Sequence, residues 1–211
     1  MVEAVPEEVP LASVEELKRD LLTPIREVAY ENMIDNQANC AFIEVDGEDG
    51  GAAIAEKVIL TSYPRSGNTL LRTYLEKITG VHTGSDCDLR RPLNMQLKKM
   101  GLAGEGTLDS KVWVVKTHYP ERIGRVKFNA NKCIVIVRNP LDSIFSLFNM
   151  VGTTSHNASL SAQVLEQALH HSTIWTDFIR QEASVWVDFH DYWCRGISQI
   201  PVHFVTYESL L

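Results

Sequence analysis

Three short segments bring charged, hydroxyl and imidazole side chains to places where an apolar run gives way to a loop. The first is Leu60-Thr-Ser-Tyr-Pro-Arg-Ser-Gly-Asn-Thr69, a strand pattern entering a tight loop and then a helical pattern. Ser66, Gly67, Asn68 and Thr69 aim consecutive amides and hydroxyls at a point beside a helix N-terminus. Orphan amides and the helix dipole both favour an anion there, phosphate above all. Arg65 adds a fixed positive charge, although an ordinary βα turn with a surface arginine has the same composition. No G-x-x-x-x-G-K-[ST] sequence occurs in the chain, so the loop is not a Walker A motif.

The second segment is Val114-Val-Lys-Thr-His-Tyr-Pro120. Lys116 and His118 alternate along a strand end, so both can face one crevice. A histidine can accept a proton near neutral pH, and a lysine can stabilise developing negative charge. A solvated lysine and a capping histidine are the bland alternative. In the third segment, Val135-Ile-Val-Arg-Asn-Pro-Leu-Asp-Ser-Ile-Phe-Ser146, Arg138 leaves a strand and Ser146 follows about two turns into a helix. An arginine at such a junction suits a phosphate through its planar fork, while Ser146 could equally serve packing.

These segments need elements to hold them. Lys57–Ser62, Val112–Lys116, Cys133–Val137 and Val202–Val205 read as short buried strands. Asn68–Thr79, closed by Gly80, reads as a helix, as does Leu141–Met150, with Asn139 as N-cap, Pro140 at N1 and Asp142 at N3. Residues 160–195 read as helical throughout. Apolar strands separated by helices predict an α/β fold, a doubly wound parallel sheet with a P-loop-like phosphate-binding strand–loop–helix. Ser13 and Glu16 form a capping box opening an amphipathic helix, with an ill-ordered arm before it and a connector with a short strand at 41–45 after it. Residues 1–52 are thus an acidic arm, helix and connector, and 53–211 an α/β domain.

Together the three segments resemble the sulfotransferase superfamily. The resemblance implies that Tyr63–Thr69 binds the 5′-phosphosulfate of PAPS (3′-phosphoadenosine-5′-phosphosulfate), that Lys116-Thr-His118 carries catalytic groups, and that Arg138 with Ser146 holds the 3′-phosphate. The stretch Gly80-Val-His-Thr-Gly-Ser85 and the R-N-P-x-x-S helix start are similar to the WSC-domain-containing, carbohydrate-type branch, and Lys-Thr-His matches the cytosolic branch. Val205-Thr-Tyr-Glu-Ser-Leu210 resembles a strand end whose tyrosine, here Tyr207, approaches the adenine. The implied reaction is in-line transfer of a sulfuryl group from PAPS to an acceptor hydroxyl or amine, leaving PAP, with His118 as base, Arg65 and Lys116 stabilising charge, and no metal. Two departures stand out. Arg65 occupies a position that is lysine in cytosolic members. The chain also ends where relatives continue, in the cytosolic branch into an Arg/Gly-rich segment over the 3′-phosphate; this implies either a fragment or a partly open donor site.

Composition bounds the alternatives. The chain has 211 residues, 45% hydrophobic and 22% charged, an ordinary globular profile. Residues 1–56 carry 14 acids against 3 bases and residues 57–211 carry 13 acids against 17 bases. The mildly basic body has no dense Lys/Arg stripe, so no nucleic-acid partner is expected; the acidic head offers a surface to a protein partner. The four cysteines show no metal spacing and read as reduced, mostly buried thiols. Neither a signal peptide nor a transmembrane segment is evident, which predicts a cytoplasmic chain; the acceptor that the resemblance implies is a small molecule or glycan. A kinase or NTPase would need a Walker lysine and a metal-holding aspartate. A non-catalytic binding or scaffold protein of the same fold is the remaining rival. His170-His171 and His190-Asp191 are weaker candidates, and Trp175, Phe178, Trp186, Phe189 and Trp193 recur at a core-like helical spacing.

Overall fold

The computed structural model describes residues 56–120, 128–197 and 199–211; the capping box, the arm, the connector and Cys40 lie outside them. The five strands are β1 (Val58–Ser62), β2 (Gly84–Ser85), β3 (Val114–Thr117), β4 (Lys132–Val137) and β5 (Val202–Thr206). They form one sheet in the order β2-β3-β1-β4-β5, and every pairing is parallel. The expected α/β architecture is therefore present. The central strands β1, β3 and β4 are rich in buried aliphatic residues, as covered faces of a parallel sheet require, whereas the edge strand β5 leaves His203 and Phe204 exposed. Cys133 and Val135 turn into a core with Ile144, Leu147, Phe178, Phe189 and Trp193. Ile136 packs on the opposite face with Leu60 and Val114, beneath Leu71, Leu75 and Tyr207.

β1 is central. From it the chain crosses to the edge strand β2, comes back to β3 between β2 and β1, and then passes to the other side to add β4 and β5. In open α/β sheets, the carboxyl ends of the strands at such a reversal open a crevice for ligands. The loop after β1 leads into α1 (Asn68–Thr79), whose last turn is stopped by Gly80 in the left-handed region, φ 68°, its N–H bonded to Glu76 O. The loop after β4 leads into α3 (Pro140–Thr153), where the Asn139 side chain accepts from the Leu141 amide and Pro140 occupies the first turn. Both helix ends follow the local signals.

Three expectations are revised. Residues 92–99 form α2 (Pro92–Lys99), with its proline in the first turn and Leu97 buried, in a stretch to which the sequence reading assigns no element. The helical region after α3 is two helices, α4 (Ala162–His170) and α5 (Ile174–Asp191), followed by a π turn at Tyr192–Gly196. Ser172 breaks it: its hydroxyl bonds Ala168 O and accepts from the Ile174 amide. The cysteines are also less uniformly buried than expected, since Cys133 is buried, Cys87 half-buried and Cys194 exposed. His170 and His171 are exposed, and no described helix is long and apolar enough to cross a membrane.

Candidate active site

The loop between β1 and α1 folds on two left-handed residues, Arg65 at φ 64° and Gly67 at φ 93°. A Cβ on Gly67 would lie 2.4 Å from Cδ2 of Tyr207, so the Tyr207 ring closes directly on the loop. Arg138 lies over that ring, 4.3 Å from its centre, and donates from Nη1 to Arg65 O at 2.7 Å. Ends of β1, β4 and β5 are thereby joined through one guanidinium. Ser66 is fully buried. Its Oγ, Arg138 Nε and Asn68 Oδ1 are buried without a hydrogen-bond partner, which costs free energy unless a ligand or water meets them. Asn68 otherwise ties back to the strand, donating from Nδ2 to Ser62 Oγ at 3.1 Å. Thr69 O accepts from the Thr73 hydroxyl within α1.

Ser62 links this loop to β3. Its carbonyl lies 2.7 Å from His118 Nδ1; a carbonyl can only accept, so Nδ1 carries the proton and the lone pair of the neutral ring sits on Nε2. Lys116 is buried with its ammonium 3.8 Å from Glu105 Oε1. Glu105 is fully buried, pairs with Arg72 and accepts from Cys87 Sγ at 3.1 Å. Burial pushes the Glu105 carboxyl up, but Lys116, Arg72 and the hydrogen bonds outweigh it and hold it below its ordinary value. Beside it, burial raises Asp86 to about 6 against the Thr117 hydroxyl bond and the Lys116 charge.

Arg65 points elsewhere. Its Nε donates to Ser146 Oγ at 3.0 Å, and its Nη1 lies 3.2 Å from His156 Nδ1. These residues line a cleft of about 280 Å³ with Arg138, Asn149 and Asn157. The structure thus brings Arg65, Arg138 and Ser146 into one cleft with Tyr207 against the loop, while Lys116 on β3 and His118 just after it are not among the residues that line the cleft. His156, Arg72 and Glu105 carry no motif. The polar run Ser155-His-Asn157 just past α3 is the one signal that marks the cleft wall. Of the other candidates, His190 is buried with Nδ1 bonded to Trp186 O, and Asp191 pairs with Arg195.

Residues 55–211, which hold this parallel sheet and its strand–loop–helix, match the sulfotransferase domain. The chain belongs to the sulfotransferase superfamily, in its WSC-containing type. It is 30% identical over 166 residues to a WSCD family member of Aedes aegypti, covering 79% of this chain and 49% of that protein. It is also 30% identical over 152 residues to one of Drosophila pseudoobscura pseudoobscura, covering 72% and 45%. The chain spans about half the length of these relatives.

The Gly67 contact carries a prediction. Gly67→Val puts a branched side chain at φ 93° and into the Tyr207 ring, displacing the tyrosine that carries Arg138. The variant is expected to keep a cooperative thermal transition and to bind PAP at least about tenfold more weakly, as read by calorimetry. Undiminished PAP binding would move the donor site away from this loop.

Proposed function

We propose that this domain is a PAPS-dependent sulfotransferase acting on a hydroxyl or amine of a small molecule or glycan. The observation that carries the reading is the Arg138 junction, where one guanidinium bonds the Arg65 carbonyl and covers Tyr207, itself seated on Gly67. The unpartnered buried Ser66 Oγ and Arg138 Nε fit a phosphorylated ligand. When bound, PAPS supplies a sulfuryl group whose S–O bond to the 5′-phosphate breaks as the bond to the acceptor forms. The amides of residues 66–69 hold the 5′-phosphate, and Arg138 with Ser146 the 3′-phosphate. His118 Nε2 takes the acceptor's proton, while Lys116 offsets charge developing on the transferring group; positioning and charge stabilisation dominate such transfers.

Thermal shift with PAP, with ATP and Mg²⁺, and with buffer tests the reading. PAP alone should stabilise the protein; stabilisation by ATP and Mg²⁺ alone would favour a kinase, and by neither a scaffold. Arg138→Ala should weaken PAP binding by about 1.5–3 kcal/mol, the range for hydrogen bonds to charged groups. It should barely alter binding of 5′-AMP, which lacks the 3′-phosphate. Equal losses for both ligands would assign Arg138 to the loop's architecture alone.

A further inference from the structure

The residue after His118 has its backbone held from three sides. The Tyr119 carbonyl accepts from Trp193 Nε1 at 3.0 Å and from the Thr61 hydroxyl at 3.1 Å. Its amide donates to Thr117 Oγ1 at 3.0 Å, and that hydroxyl donates in turn to Asp86 Oδ2 at 2.6 Å. The Tyr119 ring meets Tyr192 edge-on, with ring centres 5.7 Å apart. Tyr192 and Trp193 are consecutive residues of the π turn at Tyr192–Gly196. A π turn closes i→i+5 bonds in place of i→i+4, and such turns recur at functional sites. Here the turn sets two successive aromatic side chains against one residue at the exit of β3. Burial of an indole does not by itself bring about this bond. The Trp113 and Trp186 nitrogens are buried with no hydrogen-bond partner, whereas Trp193, 3% exposed, directs its N–H to the Tyr119 carbonyl.

These contacts converge on His118. β1 acts on this exit through two adjacent residues, Thr61 on the Tyr119 carbonyl and Ser62 O on His118 Nδ1. The ring is tied at one nitrogen, and the direction of Nε2 follows from the backbone on either side of it. We propose that Trp193 is a positioning residue for the transfer: through the Tyr119 carbonyl it fixes the exit of β3, and with it the angle at which His118 Nε2 meets the acceptor. A displacement of about 1 Å caused far from the chemistry can cost about 10²-fold in rate. The inference rests on His118 as the base, as proposed above, and adds the remote group that aims it.

The test compares wild type with Trp193→Phe, which keeps an aromatic ring in the core and removes the N–H. Thr61→Val removes the other donor to the same carbonyl, and denaturant unfolding checks that each variant folds. Nitrogen–proton NMR of isotope-labelled protein, with His118→Ala to assign the ring signals, follows the imidazole tautomer at neutral pH. Wild type should show the Nδ1–H form, and Trp193→Phe a mixture of the two tautomers. Single-turnover transfer from PAPS should slow about 10–100-fold in Trp193→Phe, with PAP affinity unchanged. Thr61→Val should move both readouts in the same direction, and it carries the test if Trp193→Phe does not fold. Easier unfolding with the wild-type tautomer and rate would make Trp193 a packing residue and overturn the proposal. So would a loss of PAP affinity that accounts for the slower rate. If the tautomer shifts but neither Trp193→Phe nor His118→Ala slows transfer, or if wild type turns over no acceptor, the base reading itself fails, and the aiming role with it.

Discussion

Glu105→Gln is expected to lower the unfolding free energy by about 3–5 kcal/mol, the cost of leaving a buried ion pair with one member uncompensated. Glu105 is fully buried between the Arg72 guanidinium and the Lys116 ammonium, and it also receives the Cys87 thiol. Arg72 is itself fully buried and donates from Nε to Thr83 Oγ1 at 2.8 Å. Removing the carboxylate leaves two cations facing a neutral amide, a large fraction of a typical domain's 5–15 kcal/mol. Because the folded-state pKa is depressed, the carboxylate's contribution is present above its unfolded value and lost as pH falls through the lower folded one. Urea midpoints should therefore separate wild type from variant at neutral pH and converge in acid below about pH 4.5. A gap that stayed constant into acid would mean that the loss is one of shape. Arg72→Met with Glu105→Gln removes a cation together with the carboxylate and should recover part of the loss.

That cluster was invisible in the sequence for a physical reason. Glu105 sits in the turn Gly101-Leu-Ala-Gly-Glu-Gly106 without periodicity, and Arg72 lies 33 residues away. Only the approach of α1 to the turn before β3 makes them partners. The β1–loop–α1 unit and the Asn139-Pro140 helix start were legible because their signals are local: a Gly at positive φ, a side-chain cap, a proline in the first turn. α2 carries such a signal in Pro92, but its few apolar residues make a short stripe beside Gly- and Ser-containing loops. The presence of Arg65, Arg138 and Ser146 in one place followed from strand order. The direction of the Arg65 side chain did not, because His156, 91 residues on, sets it.

His118→Ala is expected to reduce sulfonation by about 10²–10⁴-fold, the usual worth of a general base, while PAP binds with little change. The ring is held by its Nδ1–H to Ser62 O at 2.7 Å, and Ser62 Oγ in turn receives Asn68 of α1. The phosphate loop and the base are thus fixed to the same strand end, which sets Nε2 without any contribution from the donor's ligands. Once a mass-detected screen over sugars, phenols and tyrosyl peptides supplies an acceptor, single-turnover rates measure the step directly. Protonating Nε2 removes the lone pair, so the wild-type rate should fall as the solution is acidified and the residual rate of the variant should not follow that limb. Most of the activity surviving in His118→Ala would pass the proton to another group. His190 is buried with its ring centre 3.8 Å from that of Trp186, tilted at 33°, and Asp191 is engaged with Arg195, so neither offers a base as directly placed as the one just after β3. If PAP binds tightly and every acceptor class fails with wild type, the fold has kept its nucleotide site without the transfer, and the binding-protein reading takes its place.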